Sequence, residues 1–106
     1  MLQASPLRPG TIERESRLRL ESTIWSDDWD LTSADVVPYF AFVNWGQRPS
    51  TWLAGQWRHE GNTHIAETPV TNIGSLTLAP GVHLAYAKVV NGYQSHVLAL
   101  GKVKVN

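Results

Sequence analysis

The alternation of side chains across residues 11–25 constrains the fold of this chain more than any other feature. Its even positions hold Ile12, Arg14, Ser16, Leu18, Leu20, Ser22 and Ile24, and so every aliphatic residue of the segment. The odd positions hold Glu13, Glu15, Arg17, Arg19, Glu21, Thr23 and Trp25, polar except for the last. A period of two sends successive side chains to opposite faces of a strand. At 3.6 residues per turn, Ile12 would point well away from Leu20 and Ile24, and a helix would bury no continuous stripe. The alternation outweighs the helix propensity of Glu, Arg and Leu, so a strand with one inward face is predicted.

The rest of the chain continues in the same manner. Residues 36–43 are rich in β-formers, with Pro38 indicating an edge or a bulge because it donates no ladder hydrogen bond. Residues 51–59 and 63–68 read as strands joined by a turn at Glu60-Gly61-Asn62. Strands over 82–90 and 93–100 flank Asn91-Gly92, a dipeptide suited to the positive φ of hairpin turns. Gly101 marks a bulge or bend before Val103 and Val105 close the chain. About seven short antiparallel strands at this spacing predict an all-β fold, a single immunoglobulin-like β-sandwich over residues 11–106, with a small barrel as the nearest rival. Residues 1–10, with Pro6, Pro9 and Gly10, read as an extended N-terminal arm. It is expected to be held either on its own domain or across a neighbouring chain.

Composition narrows the chemistry. A chain of 106 residues suits one domain. Lys+Arg and Asp+Glu are both 9, for a formal net charge of +0, whereas a protein that grips phosphates carries a basic surplus. No nucleic-acid partner is expected. Cysteine is absent, which removes thiol nucleophiles, thiolate zinc sites and disulfides. The N-terminal residues lack the apolar core of a signal peptide, and no apolar run approaches the ~20 residues that span a bilayer, so no membrane association is expected.

Three groups of residues invite a functional reading. All five tryptophans (Trp25, Trp29, Trp45, Trp52, Trp57) lie between residues 25 and 57. Trp52 and Trp57 sit within a strand and are candidates for the core. Trp25, Trp29 and Trp45 flank turns and are candidates for partner contact, with sugar stacking in a small carbohydrate-binding module as another use. If Gly61-Asn62 is a two-residue turn, His59 lies opposite His64, at a cross-strand spacing of ~5 Å between Cβ atoms. Zinc asks for a third or fourth ligand and only Glu60 is near in sequence, so two solvated histidines are expected there and no metal. Asp27, Asp28 and Asp30 lack the glycine and distal Glu of a calcium loop. No serine has a positioned histidine and no glycine-rich phosphate loop is present, so an enzyme is not expected, nor is a cofactor.

From about Gly10 onward the chain resembles small virion proteins of tailed phages that infect actinobacteria. The resemblance lies in Gly10-Thr11-Ile12-Glu13, Asp30-Leu31-Thr32 before Val36-Val37-Pro38, and a Trp-x-x-Ala-x-Trp-like segment at Pro49-Ser50-Thr51-Trp52-Leu53-Ala54-Gly55-Gln56-Trp57. It continues through Pro80-Gly81, Tyr86 and Lys88 to Gly101 and the closing Val-x-Val. Two departures are His83, where an aromatic is usual, and Tyr93-Gln94-Ser95-His96, where an acidic-Pro pair is more common. The resemblance implies a structural role in the virion, assembled in the host cytoplasm. Such a protein decorates the capsid or, alternatively, serves as a head–tail connector or tail accessory. Its partners would be the major capsid protein or neighbouring virion subunits, in a homo-oligomer or symmetric array. The arm, through Leu2, Pro6, Leu7 and Arg8, and the aromatics Trp25, Trp29 and Trp45 would make the contacts.

Overall fold

The computed structural model describes residues 2–6, 8, 11–12, 20–44, 47–49, 51–68 and 81–105, and no helix occurs among them. The described residues form nine strands in chain order: β1 (Leu2–Ala4), β2 (Thr11–Ile12), β3 (Glu21–Ser26), β4 (Val36–Asn44), β5 (Leu53–Ala54), β6 (Gln56–Glu60), β7 (Thr63–Glu67), β8 (Gly81–Asn91) and β9 (Gln94–Val105). They form two sheets, in the orders β1-β3-β7-β6 and β2-β9-β8-β4-β5. All pairs are antiparallel except β2 with β9, which is parallel. The chain is all-β, in an arrangement that fits a β-sandwich. Its Cα radius of gyration is 13.3 Å, against roughly 13 Å expected for one domain of this length.

The predicted alternation holds where it is described. Leu20, Ser22 and Ile24 are buried, Thr23 is half-buried, and Trp25 is 45% exposed. Residues 13–19 lie outside the described residues. The inward faces of both sheets share one core: Leu2, Leu20, Ile24 and Ala66 from one side, with Val36, Phe40, Ala85, Ala87, Val89, Leu100 and Val103 from the other. Each large aliphatic or aromatic buried this way contributes about 1.5–3 kcal/mol.

Three local details explain the topology. Residues 51–59 are not one strand. The chain leaves the five-stranded sheet after β5 and enters the four-stranded sheet at β6, with Gly55 between them. Pro38 sits inside β4, yet its carbonyl accepts from Gly55 N at 2.9 Å. In a strand, a residue's N and C=O face the same side, so the missing N–H also points away from β8. The β4–β8 ladder therefore runs unbroken from Val36↔Asn91 to Asn44↔His83. Gly101, with φ of 93°, allows the bulge at which pairing passes from Ala85↔Gly101 to Tyr86↔Ala99.

The turns differ slightly from expectation. Glu60 pairs with Thr63 across Gly61-Asn62, as the sequence suggests. In the last hairpin Asn91 pairs with Gln94, so the linking residues are Gly92 and Tyr93, one step beyond the predicted Asn91-Gly92.

The start of the chain is integrated into the domain. Leu2, Gln3 and Ala4 pair with Ser26, Trp25 and Ile24. Ser5 N donates to Thr23 O at 2.8 Å, and Arg8 exchanges backbone hydrogen bonds with Glu21 at 2.9 Å in both directions. Leu2, taken from sequence as a partner contact, is instead 6% exposed and belongs to the core. The physical reason is an open edge: β3 needs a neighbour opposite β7, and the arm supplies it. A few residues on, Thr11 and Ile12 join the other sheet beside Lys104 and Val105.

Candidate functional site

Two regions stand out once the strands are in place. The first is the end of the molecule where the β6–β7 hairpin meets the loop over residues 27–35. That loop is built from short side-chain turns. Ser26 Oγ accepts from Asp28 N at 3.1 Å and from Trp29 N at 2.9 Å. Asp30 Oδ1 accepts from Thr32 N at 3.0 Å and Thr32 Oγ1 at 2.5 Å. The Thr32 hydroxyl, then its backbone N–H, lower the pKa of Asp30 below the usual carboxylate value, with smaller help from His64 and His59.

On the hairpin, His59 is paired with His64, and their Nδ1 atoms are 2.8 Å apart. The rings meet edge to face, with centroids 4.9 Å apart at 76°. Trp57 stacks on His59 at 6.0 Å and 22°. Trp57 is itself pinned, because its Nε1 donates to Val36 O at 2.9 Å and so ties β6 to β4. Among the described residues, no group of three or more His, Cys, Asp or Glu could hold a metal ion.

The second region is the pair of outer sheet faces, which are chemically opposite. On the four-stranded sheet the outward side is ionic. Arg58 reaches Glu21 at 2.9 Å, Glu60 at 3.2 Å and Glu67 at 3.3 Å. Gln56 Nε2 also donates to Glu67 at 3.1 Å, and the Glu67 side chain is only 3% exposed. A buried carboxylate of this kind must be paired to be tolerated.

On the five-stranded sheet the outward side is largely apolar, and its charges are all lysines. Cross-strand pairing places Val37 beside Val90, Tyr39 beside Lys88, and Val43 beside Leu84. Val97 lies next to Lys88, and Ala99 next to Tyr86. Val97 is 54% exposed and Val82 46%; Val37, Tyr39, Val43, Leu84, Tyr86 and Val90 are half-buried. Lys88 stands in their midst, its Nζ 4.6 Å from the Trp52 ring centroid and 5.5 Å from that of Tyr39, and Lys102 and Lys104 lie on the same face beside Leu84 and Val82. No described strand pairs with β9 on its second side between Gln94 and Lys102.

No protein-family model matches this chain, and no curated protein matches it. Its chemistry must therefore be argued from these surfaces.

The residues singled out from sequence are placed as follows. Trp25 projects from β3, and its Nε1 donates to Gln3 Oε1 at 2.8 Å. Trp29 is half-buried against the core, and its ring meets His96 edge to face at 5.1 Å. Its apolar surface is thus largely used inside the domain. Pro6 and Arg8 are exposed, and Arg8 Nη2 donates to Thr23 Oγ1 at 3.1 Å while lying 3.6 Å from Glu21. Leu7 and Trp45 lie outside the described residues. Sequence reasoning missed the apolar outer face of the five-stranded sheet. Its signal was present in residues 82–90, where both parities are largely apolar.

Proposed function

We propose that this chain is a structural virion protein, most simply a capsid decoration protein, that docks on neighbouring subunits through the outer face of its five-stranded sheet. One observation carries the reading: that face gathers Val37, Tyr39, Trp52, Leu84, Tyr86, Val90 and Val97 around Lys88, with Lys102 and Lys104 beside Leu84 and Val82 at one end. Contiguous exposed apolar surface of this kind marks an interaction site, and aromatic residues are what interface cores favour. The β9 edge between Gln94 and Lys102, unpaired among the described residues, offers backbone groups to the same neighbour. The resemblance to small phage virion proteins supplies the class of neighbour, a major capsid protein or another virion subunit in a symmetric array. A formal net charge of +0 suits a protein held by surface complementarity rather than by electrostatic attraction.

The finer fold assignment belongs to the same proposal. With β1, β3, β4, β6, β7, β8 and β9 taken as strands A to G, the two sheets carry A-B-E-D and G-F-C. Those are the strand sets of an immunoglobulin-like sandwich.

The arm plays no intersubunit part in this reading, since Leu2 and the backbone up to Arg8 serve the chain's own sheet. Trp25, tethered by Gln3, is exposed on the outer face of the other sheet, away from this docking face.

The test is the copy number of this protein in purified particles of the phage that encodes it, by quantitative mass spectrometry. Hundreds of copies per particle are expected for a capsid position, and about a dozen would place it at the neck or tail instead. Its absence from particles would overturn the virion reading.

A further inference from the structure

We propose that His59 and His64 form a bidentate imidazole clamp for a tetragonal divalent transition-metal ion, Cu²⁺ or Ni²⁺. Two Nδ1 atoms held 2.8 Å apart, each about 2.0 Å from a common ion, subtend an angle of about 90° there. That is the angle between adjacent positions of a square-planar or tetragonal ion, the geometry of Cu²⁺ and Ni²⁺ with nitrogen and oxygen ligands. A tetrahedral zinc site asks for a wider bite and for further protein ligands, which the described residues do not provide. Solvent completes the remaining positions, because His59 stands at the exposed end of its strand and His64 is half-buried beside it.

Three features preorganise the pair. Register fixes the two residues directly opposite each other one step from a tight turn, with Glu60↔Thr63 as the last pair. Gly61 at φ 59° permits that turn. The Trp57 ring lies against His59 and is locked by its own hydrogen bond to Val36, which limits rotation of the imidazole.

The proton accounting is simple. Without metal, one Nδ1–H donates to the other Nδ1. On chelation that imidazole shifts to its Nε2–H tautomer, so both Nδ1 lone pairs face the ion and no redox step is involved.

The test uses the untagged full chain, titrated separately with Cu²⁺ and Ni²⁺ and followed by isothermal calorimetry and Trp fluorescence. One ion per chain is expected to bind, with quenching from the Trp57 ring that stacks on a ligand. Removing an outer-shell partner of a metal site costs about 10–100-fold in affinity. Losing one of two direct ligands is therefore expected to cost at least about 100-fold. Accordingly His59→Gln and His64→Gln each abolish the quenching, while His96→Gln leaves it unchanged. Far-UV circular dichroism of each variant separates loss of the site from loss of the fold. Equal affinity for wild type and His64→Gln, or loss of binding in His96→Gln alone, would overturn the proposal.

Discussion

At the scale of single residues, the positions that matter most are those where two parts of the chain come too close for an ordinary side chain. Gly55 is the sharpest case. A Cβ there would lie 2.7 Å from Phe40 Cε2 and 3.0 Å from both Phe40 Cδ2 and the Glu67 carbonyl oxygen. Phe40 is fully buried, so its ring has little room to yield. Gly55→Ala is expected to destabilise the domain by about 1–3 kcal/mol, the usual cost of overpacking. The urea midpoint should fall with an unchanged m-value, and an unmoved midpoint would mean that the ring repacks freely. Nothing in the sequence marked Gly55 for this role. It is one of 8 glycines, and its importance depends on a crossing between sheets that involves residues far apart in the chain. Gly61 and Gly101 were legible, by contrast, because turns and bulges are local events set by φ.

At the scale of elements, the arm and the Arg58 hub show how sheet edges and buried charge are managed. The sequence reading left open whether the arm lies on its own domain. In the structure it completes the four-stranded sheet beside β3. Deleting residues 1–8 removes Leu2 from the core together with the backbone hydrogen bonds of Ser5 and Arg8 to β3. Losing a buried leucine alone costs about 2–5 kcal/mol, so the melting temperature should drop by at least about 10 °C. A truncated protein with an unchanged melting temperature would restore the arm as a free segment available to a neighbour. Periodicity exposed β3 clearly through its alternating face, and richness in β-formers exposed β4 and β8. It concealed β5, which is two residues long and exists only by virtue of its partner Tyr39 and Phe40 in β4. The hub of Arg58 with Glu21, Glu60 and Glu67 was concealed as well, because it joins three strands whose order the sequence does not encode.

At the scale of the whole molecule, the two outer faces define its polarity. One is closed by ion pairs around Arg58, and the other is a largely apolar sheet surface with Lys88 in its midst and Lys102 and Lys104 at one end. The all-β fold was legible because it follows from alternation and turn chemistry, both written locally. The face proposed for docking was not, because a strand such as β8, apolar at nearly every position, does not reveal which side another sheet covers. The sequence reading placed contacts on tryptophans near turns, and of these Trp29 packs on the core while Trp25 remains exposed.

The docking face is tested most directly by Val97→Glu. This change places a carboxylate opposite Lys88, where an ion pair across the strands compensates the new charge and preserves the fold. Wild type and variant would be produced in turn during infection, and their copies per purified particle measured by quantitative mass spectrometry. The account predicts a folded variant, melting within about 4 °C of wild type, whose incorporation falls at least about tenfold, equivalent to about 1.4 kcal/mol of lost binding. A folded Val97→Glu protein present at the wild-type copy number would contradict it.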